Sequence, residues 1–112
     1  MDGTGAATQL RRGVIGPCIL ALLAHGPRYG LEIVRELDSA GQLLSSQGTL
    51  YPLLNRLYDA GLVSSYWEVA DNERRRRYYE ITDAGRAELD EFRSDWGRFT
   101  GAVDSLMKRS SR

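Results

Sequence analysis

The segment "SSQGTLYPLLNRLYDAGLV" (Ser45–Val63) places Tyr51-Pro52 at the head of a leucine-rich stretch. Proline costs a helix interior about 3 kcal/mol, but the first turn tolerates it because backbone N–H groups there have no intrahelical partner. The segment is therefore expected to start a helix just before Pro52, with Ser46, Gln47 or Thr49 near the cap. At about 100° per residue, Leu50, Leu53, Leu54 and Leu57 share one face. Gly48, Thr49, Tyr51, Pro52, Asn55 and Arg56 lie around the other. The leucines read as a core-facing stripe. An aromatic, an amide and a guanidinium gathered on the outer side ask for a different explanation.

Upstream, "LRRGVIGPCILALLAHG" repeats apolar residues at Val14, Ile15, Cys18, Ile19, Leu22 and Leu23, the pattern of a buried helical face. Pro17 belongs in the first turn of its packed part or kinks a longer helix. "AHGPRYG" reads as a turn closed by Gly26-Pro27. "YGLEIVRELDSAG" reads as a second helix with Leu31, Ile33, Val34 and Leu37 inward and Gly41 as its stop. Downstream the period changes. "LVSSYWEVA" and "RRYYEIT" are rich in aromatic and β-branched residues, and Asp71-Asn72-Glu73 between them reads as a hairpin tip. Thr82 then suits an N-cap, with Asp83 favourable against the helix dipole. In the helix that follows, Leu89, Phe92, Trp96, Phe99, Val103 and Leu106 stand alternately three and four residues apart, a heptad seam.

Three short helices, a β-hairpin and a long helix make a mainly α chain with the order of a winged helix-turn-helix. In that arrangement the third helix enters the DNA major groove. The expected division is a tail at 1–8, a winged helix-turn-helix DNA-binding domain at 9–81, and a C-terminal dimerisation helix at 82–112. The polar outer face of the third helix then acquires a purpose. Pro52 and Gly48 keep bulk low where backbone nears DNA, and N–H groups at the helix start can meet phosphate. Ser46, Gln47, Gly48, Thr49, Tyr51, Pro52, Asn55 and Arg56 are the expected DNA-facing residues of this element. Arg74, Arg75, Arg76 and Arg77 form the only dense basic run. On the tip and return strand of a wing they can reach phosphates or the minor groove. Strand alternation turns successive members to opposite sides, so two of the four are expected at DNA while another pairs with Glu68 or Glu73. Tyr78 and Tyr79 read as hairpin packing.

Composition narrows the alternatives. A chain of 112 residues holds one small domain, and 42% hydrophobic with 27% charged residues fits an ordinary globular protein. No apolar run approaches the roughly 20 residues that span a bilayer, and "MDGTGAATQLRR" has no signal-peptide core, so a cytoplasmic protein without membrane contact is expected. Nearly all the basic residues are arginine, with Lys108 the only lysine. That bias hints at a GC-rich bacterial genome. The formal net charge is zero, so nucleic-acid binding has to come from local clustering. Zero net charge also keeps open a winged helix that serves only as a protein-interaction module. One cysteine, Cys18, excludes an internal disulfide, and with one histidine, His25, no metal site or cofactor is expected. A metal- or redox-sensing regulator built on Cys18 stays as a third reading. Enzyme signatures are missing: no Ser-His-Asp order and no phosphate-cradling glycine loop.

"GTLYPLLNRLYDAGLV" followed by "RRRYYEITDAGRAEL" resembles the PadR-like transcriptional regulators, named after the phenolic acid decarboxylase repressor. "ILALLAHGPRYGLEI" is similar to their first two helices, and the likeness runs from about Leu10 to Leu89. Leu31 and Tyr58 depart from the commonest pattern, where an aromatic and an acidic residue are frequent. A single C-terminal helix resembles the short subgroup, some of whose members bind flat aromatic drugs between subunits. The resemblance implies a homodimeric repressor on double-stranded, pseudo-palindromic operator DNA. The seam Leu89, Phe92, Trp96, Phe99, Val103 and Leu106 is the expected dimer interface, because so long a helix cannot bury its rings on a small three-helix core. Phe92, Trp96 and Phe99 admit a second role as a slot for a planar aromatic or nucleotide-like effector. Trp96 as plain interface core remains the alternative.

Overall fold

The computed structural model describes residues 5–41, 43–44 and 47–110. Its elements are α1 (Ala6–Leu23), β1 (Arg28–Tyr29), α2 (Gly30–Ser39), α3 (Gln47–Asp59), β2 (Val63–Val69), β3 (Arg75–Ile81) and α4 (Asp83–Arg109). The three strands form one antiparallel sheet in the order β1-β3-β2. This is the three-helix, hairpin and long-helix order expected from the sequence, with one strand added.

The added strand is β1. Arg28 and Tyr29, expected in a turn, pair with Tyr79 and Tyr78 of β3. Two residues are too short for an alternation to show, so only the partner strand defines them. β1 is tied to the next helix as well. The Tyr29 N–H donates to Glu32 Oε1 at 3.1 Å, half of a capping box at the start of α2. Arg28 Nε donates to Glu36 Oε2 at 2.6 Å.

The core gathers Ile15, Ile19, Leu20 and Leu23 of α1, Ile33, Val34 and Leu37 of α2, and Leu50 and Leu54 of α3. Leu44, Val63, Tyr79, Ile81 and Leu89 complete it. Each fully buried aliphatic side chain contributes about 1.5–3 kcal/mol. The α1 stripe is turned slightly from the expected one: Val14, Cys18 and Leu22 are only half-buried. Leu31, expected inward, is half-buried at the rim of a cleft described below.

One boundary and two placements differ from the sequence expectation. α1 begins at Ala6, so residues 6–8, assigned to the tail, are helical, and Pro17 lies inside a longer helix, the second of its two expected places. α3 begins at Gln47, within the expected start, but Pro52 then falls beyond its first turn. Buried Leu50 and Leu54 flank the proline and hold that turn together, which offsets the N–H it withholds. Leu89, expected in the dimer seam, is only 3% exposed and packs inside its own chain. The first turns of α4 lie against the hairpin's base, and the seam can start only beyond them.

The hairpin tip is Asp71-Asn72-Glu73, as expected. The Ala70 N–H donates to the Arg74 carbonyl at 2.8 Å and the Glu73 N–H to the Ala70 carbonyl at 2.9 Å. Glu73 takes φ 63°, the left-handed conformation that closes such a loop.

Candidate nucleic-acid interface

α3 sets its leucines inward and its polar residues in solvent. Gln47, Gly48, Thr49, Tyr51, Pro52, Asn55 and Arg56 are all exposed, while Ser46 lies outside the described residues. Gln47, Tyr51 and Asn55, four residues apart, form one wall of a cleft of about 620 Å³. Residues Arg74–Arg77 of the hairpin and Trp67 form the opposite wall. The two groups singled out in the sequence, the outer face of the third helix and the basic run, thus meet across one groove. Thr49, Pro52 and Arg56 face a second cleft on the far side of α3, which they share with Thr8, Arg11 and Arg12 of α1.

Tyr51 is less free than its helical position implied. Its ring lies across Gly30, so closely that a Cβ at Gly30 would collide with the phenol oxygen and Cζ. Tyr51 is consequently a bracket between α2 and α3 as well as a groove residue. It also stands near Tyr79, whose phenol burial pushes above its ordinary value, with Arg77 pulling the other way and Tyr51 adding to the rise.

The wing arginines are held by aromatic rings. Arg75 stands over Trp67 with its guanidinium carbon 5.0 Å from the ring centroid, and Arg76 over Tyr29 at 4.4 Å. Arg77 lies 5.2 Å from the Tyr79 ring and 5.6 Å from Tyr58, and its Nε donates to Ser65 Oγ at 3.0 Å. The expected pairing with Glu68 or Glu73 is not among the ion pairs of the described residues. Stacking wins because the rings flank the arginines on the sheet, whereas carboxylate and guanidinium on an exposed strand gain little in water. Register explains the division: Trp67 is opposite Arg77, and Tyr66 is opposite Tyr78. On the second face, Tyr66 stacks on Tyr78 at 5.6 Å and Tyr78 meets Tyr29 edge-on at 5.6 Å, so Tyr78 packs the hairpin as expected.

Residues 19–91 match the model of the transcriptional regulator PadR-like family. The chain belongs to the PadR-like family of transcriptional regulators. It is 40% identical over 85 residues to the transcriptional regulator Rv3488 of Mycobacterium tuberculosis, covering 76% of this chain and 78% of that protein. Among solved structures it superposes on a PadR-like transcriptional regulator from Bacillus cereus with a TM-score of 0.81 at 33% identity. That match covers 88% of this chain and 96% of the other. A PadR family transcriptional regulator from Eggerthella lenta gives a TM-score of 0.81 at 32% identity over 95% and 90% of the two chains. Such proteins regulate transcription through DNA and are not enzymes, which makes the groove between α3 and the hairpin the surface to examine.

The PadR-like chain carries a second distinctive surface on α4. Phe92 and Trp96 stack with centroids 5.7 Å apart and planes 22° apart, and Phe99 continues the ladder at 6.2 Å from Trp96. Trp96 is 42% exposed, Phe99 56% and Leu106 54%, with Val103 half-buried between them. Beside the ladder, Leu10, Gly13 and Val14 of α1 and Asp95 complete a shallow cleft of about 350 Å³. No helix among the described residues is long and apolar enough to cross a membrane.

Sequence reading did not single out Trp67, Tyr29, Arg11 or Arg12. Trp67 carried a usable signal, because strand alternation places it on the side of Arg75 and Arg77. Tyr29 carried none, since its neighbourhood depends on an unforeseen strand pair.

Proposed function

We propose that this PadR-like regulator is a cytoplasmic homodimeric repressor that reads a pseudo-palindromic operator with α3 and grips phosphate with the wing. The observation that carries this reading is the groove in which Gln47, Tyr51 and Asn55 face Arg74 and Arg75. Asn55 offers the donor-acceptor pair that suits an adenine edge in the major groove, and the arginines supply sequence-independent affinity. Gly48 and Thr49, exposed at the start of α3, position a phosphate rather than read a base.

Dimerisation is assigned to α4 through Phe92, Trp96, Phe99, Val103 and Leu106. A contiguous stripe of exposed rings and aliphatic side chains over several turns is the kind of surface that marks an association site. Pairing two copies along it would set two recognition helices about 34–36 Å apart, one turn of DNA. The test is a fluorescence-anisotropy titration of the protein on its own upstream region and a scrambled duplex, with sedimentation on the same samples. Preferential binding by a dimer is expected, and equal binding of both duplexes would overturn the operator reading.

The stacked ladder also favours a planar effector at Phe92, Trp96 and Phe99. Asp95 lines that cleft too, but its carboxylate pairs with Arg98, so the rings and not a free charge would hold a planar aromatic or nucleotide-like compound. Quenching of tryptophan fluorescence by such a compound, with release of operator DNA, is the expected behaviour. A compound that releases DNA without quenching would place the effector elsewhere.

A further inference from the structure

The second cleft, on the side of α3 away from the wing, is arginine-lined like the first. Its volume is about 520 Å³, and three arginines, Arg11, Arg12 and Arg56, line it with Thr8 and Thr49. Among the described residues no carboxylate lines it, in a chain with as many acidic as basic residues. Three arginines elsewhere are held by carboxylates: Arg28 by Glu36, Arg93 by Asp90, Arg98 by Asp95. The side chains of Arg11, Arg12 and Arg56 make no ion pair or hydrogen bond among the described residues. Three unpaired arginines lining one cleft make it locally positive in a chain of zero net charge.

The placement of this cleft says which anion. At about 100° per residue, Gln47, Tyr51 and Asn55 centre on one side of α3, and Thr49, Leu53 and Arg56 centre roughly 165° around the helix. The outward line of α3, through Gly48 and Pro52, runs between these two sides. A helix seated in a major groove has a phosphate backbone on each flank. The wing serves one flank. We propose that Arg11 and Arg12, with Arg56, form a second phosphate wall that holds the opposite DNA strand, so that α1 is part of the DNA-binding surface. This inference rests on the DNA-binding reading and extends it to an element that reading does not use. α1 then has two working sides: Leu10 and Val14 turn toward the α4 ladder, and Arg11, Arg12 and Ile15 toward α3. A shift of α4 against α1 would move the phosphate wall with it.

The test compares Arg11→Ala/Arg12→Ala with Arg74→Ala/Arg75→Ala in the full chain, on the protein's own upstream region and on a random-sequence duplex over a range of salt. Alanine on an exposed helical surface keeps the fold, and circular dichroism checks it. The α1 variant is expected to weaken specific and random binding by the same factor, roughly tenfold, and to flatten the log–log salt slope by roughly 0.9 per lost contact. Arg11→Lys/Arg12→Lys, which keeps both charges, is expected to restore the parental slope. Parental affinity and slope in the α1 alanine variant, with the wing variant impaired, would overturn the second wall and leave DNA binding standing. Octanoate binding by the parent, lost in the alanine variant while its DNA slope stays parental, would make the cleft a small-anion site and also overturn it. A parent that binds no duplex at low salt would overturn this inference together with the reading beneath it.

Discussion

The Thr82 hydroxyl donates to the Gly61 carbonyl at 2.7 Å, joining the start of α4 to the end of α3. The same oxygen accepts the Gly85 N–H at 3.0 Å, and the Thr82 N–H donates to the Leu62 carbonyl at 3.1 Å. Gly61 needs its φ of 78° to turn the chain out of α3 into β2. One threonine therefore caps the candidate dimerisation helix and fastens the exit of the candidate recognition helix. Gly85 permits the close fit, because a Cβ there would collide with the Leu62 carbonyl oxygen and with Ile81 Cγ1.

Thr82→Val removes the cap and the cross-link together and is expected to lower stability by about 1–2 kcal/mol. Gly85→Ala adds a methyl group against backbone and is expected to cost about 1–3 kcal/mol. Urea unfolding followed by circular dichroism reads both. A parental midpoint for Gly85→Ala would mean that the junction is looser than described.

Asn55→Ala is expected to relax operator discrimination by about 1–3 kcal/mol at one base pair with no loss of stability, since Asn55 is exposed and supports no core residue. Tyr51 requires a gentler change, because its ring rests on Gly30. Tyr51→Phe keeps the bracket and removes the hydroxyl, whereas Tyr51→Ala is expected to lower stability as well as binding. Binding isotherms on operator and scrambled duplexes, beside melting curves, separate the two effects. Discrimination unchanged in Asn55→Ala would remove it from base reading.

The wing arginines are expected to divide by their partners. Arg74 and Arg75 are exposed, and replacing them should weaken DNA binding without changing stability. Arg77 is half-buried between Ser65, Tyr58 and Tyr79, so Arg77→Ala should lower the unfolding midpoint. Equal melting temperatures for the two variants would contradict this division.

Trp96→Ala is expected to leave the protomer folded and weaken the dimer by about 2–4 kcal/mol, because the ring packs on Phe92 and Phe99 rather than into the core. Leu89→Ala is expected to do the reverse, unfolding the protomer by about 2–5 kcal/mol. Sedimentation velocity over a dilution series reads the first and urea unfolding the second. A parent that sediments as a monomer at high concentration would discard the interface.

Cys18 is half-buried on α1, and burial pushes its thiol pKa up. A raised pKa leaves less thiolate at neutral pH than a free cysteine has, so alkylation of the folded protein should be slow and should rise only above the ordinary thiol range. Denaturation should remove the protection. Alkylation as fast in the native state as in urea would revive the redox-sensing alternative.

Periodicity made the main architecture legible. The leucines of α3, the β-branched strands and the heptad of α4 each announce their element, since amphipathic spacing is local. The outer face of α3 was legible for the same reason: once Leu50 and Leu54 point inward, Gln47, Tyr51 and Asn55 cannot. The hairpin tip at Asp71-Asn72-Glu73 was equally plain. Pro52 misled and Pro17 left two places open, because tertiary packing of neighbouring core residues holds a helix through a proline that an isolated peptide would not tolerate.

The sequence by itself determined which residues are inside, which are outside, and in what order helices and strands occur, because those follow from spacing along one segment. Only the tertiary structure decided what sits across from what. It paired β1 with β3, laid Tyr51 on Gly30, drew Leu89 from the seam into the core, and set Arg11 and Arg12 beside Arg56. Those relationships depend on how separate elements dock, and docking is set by shape and packing over the whole core rather than by any local period.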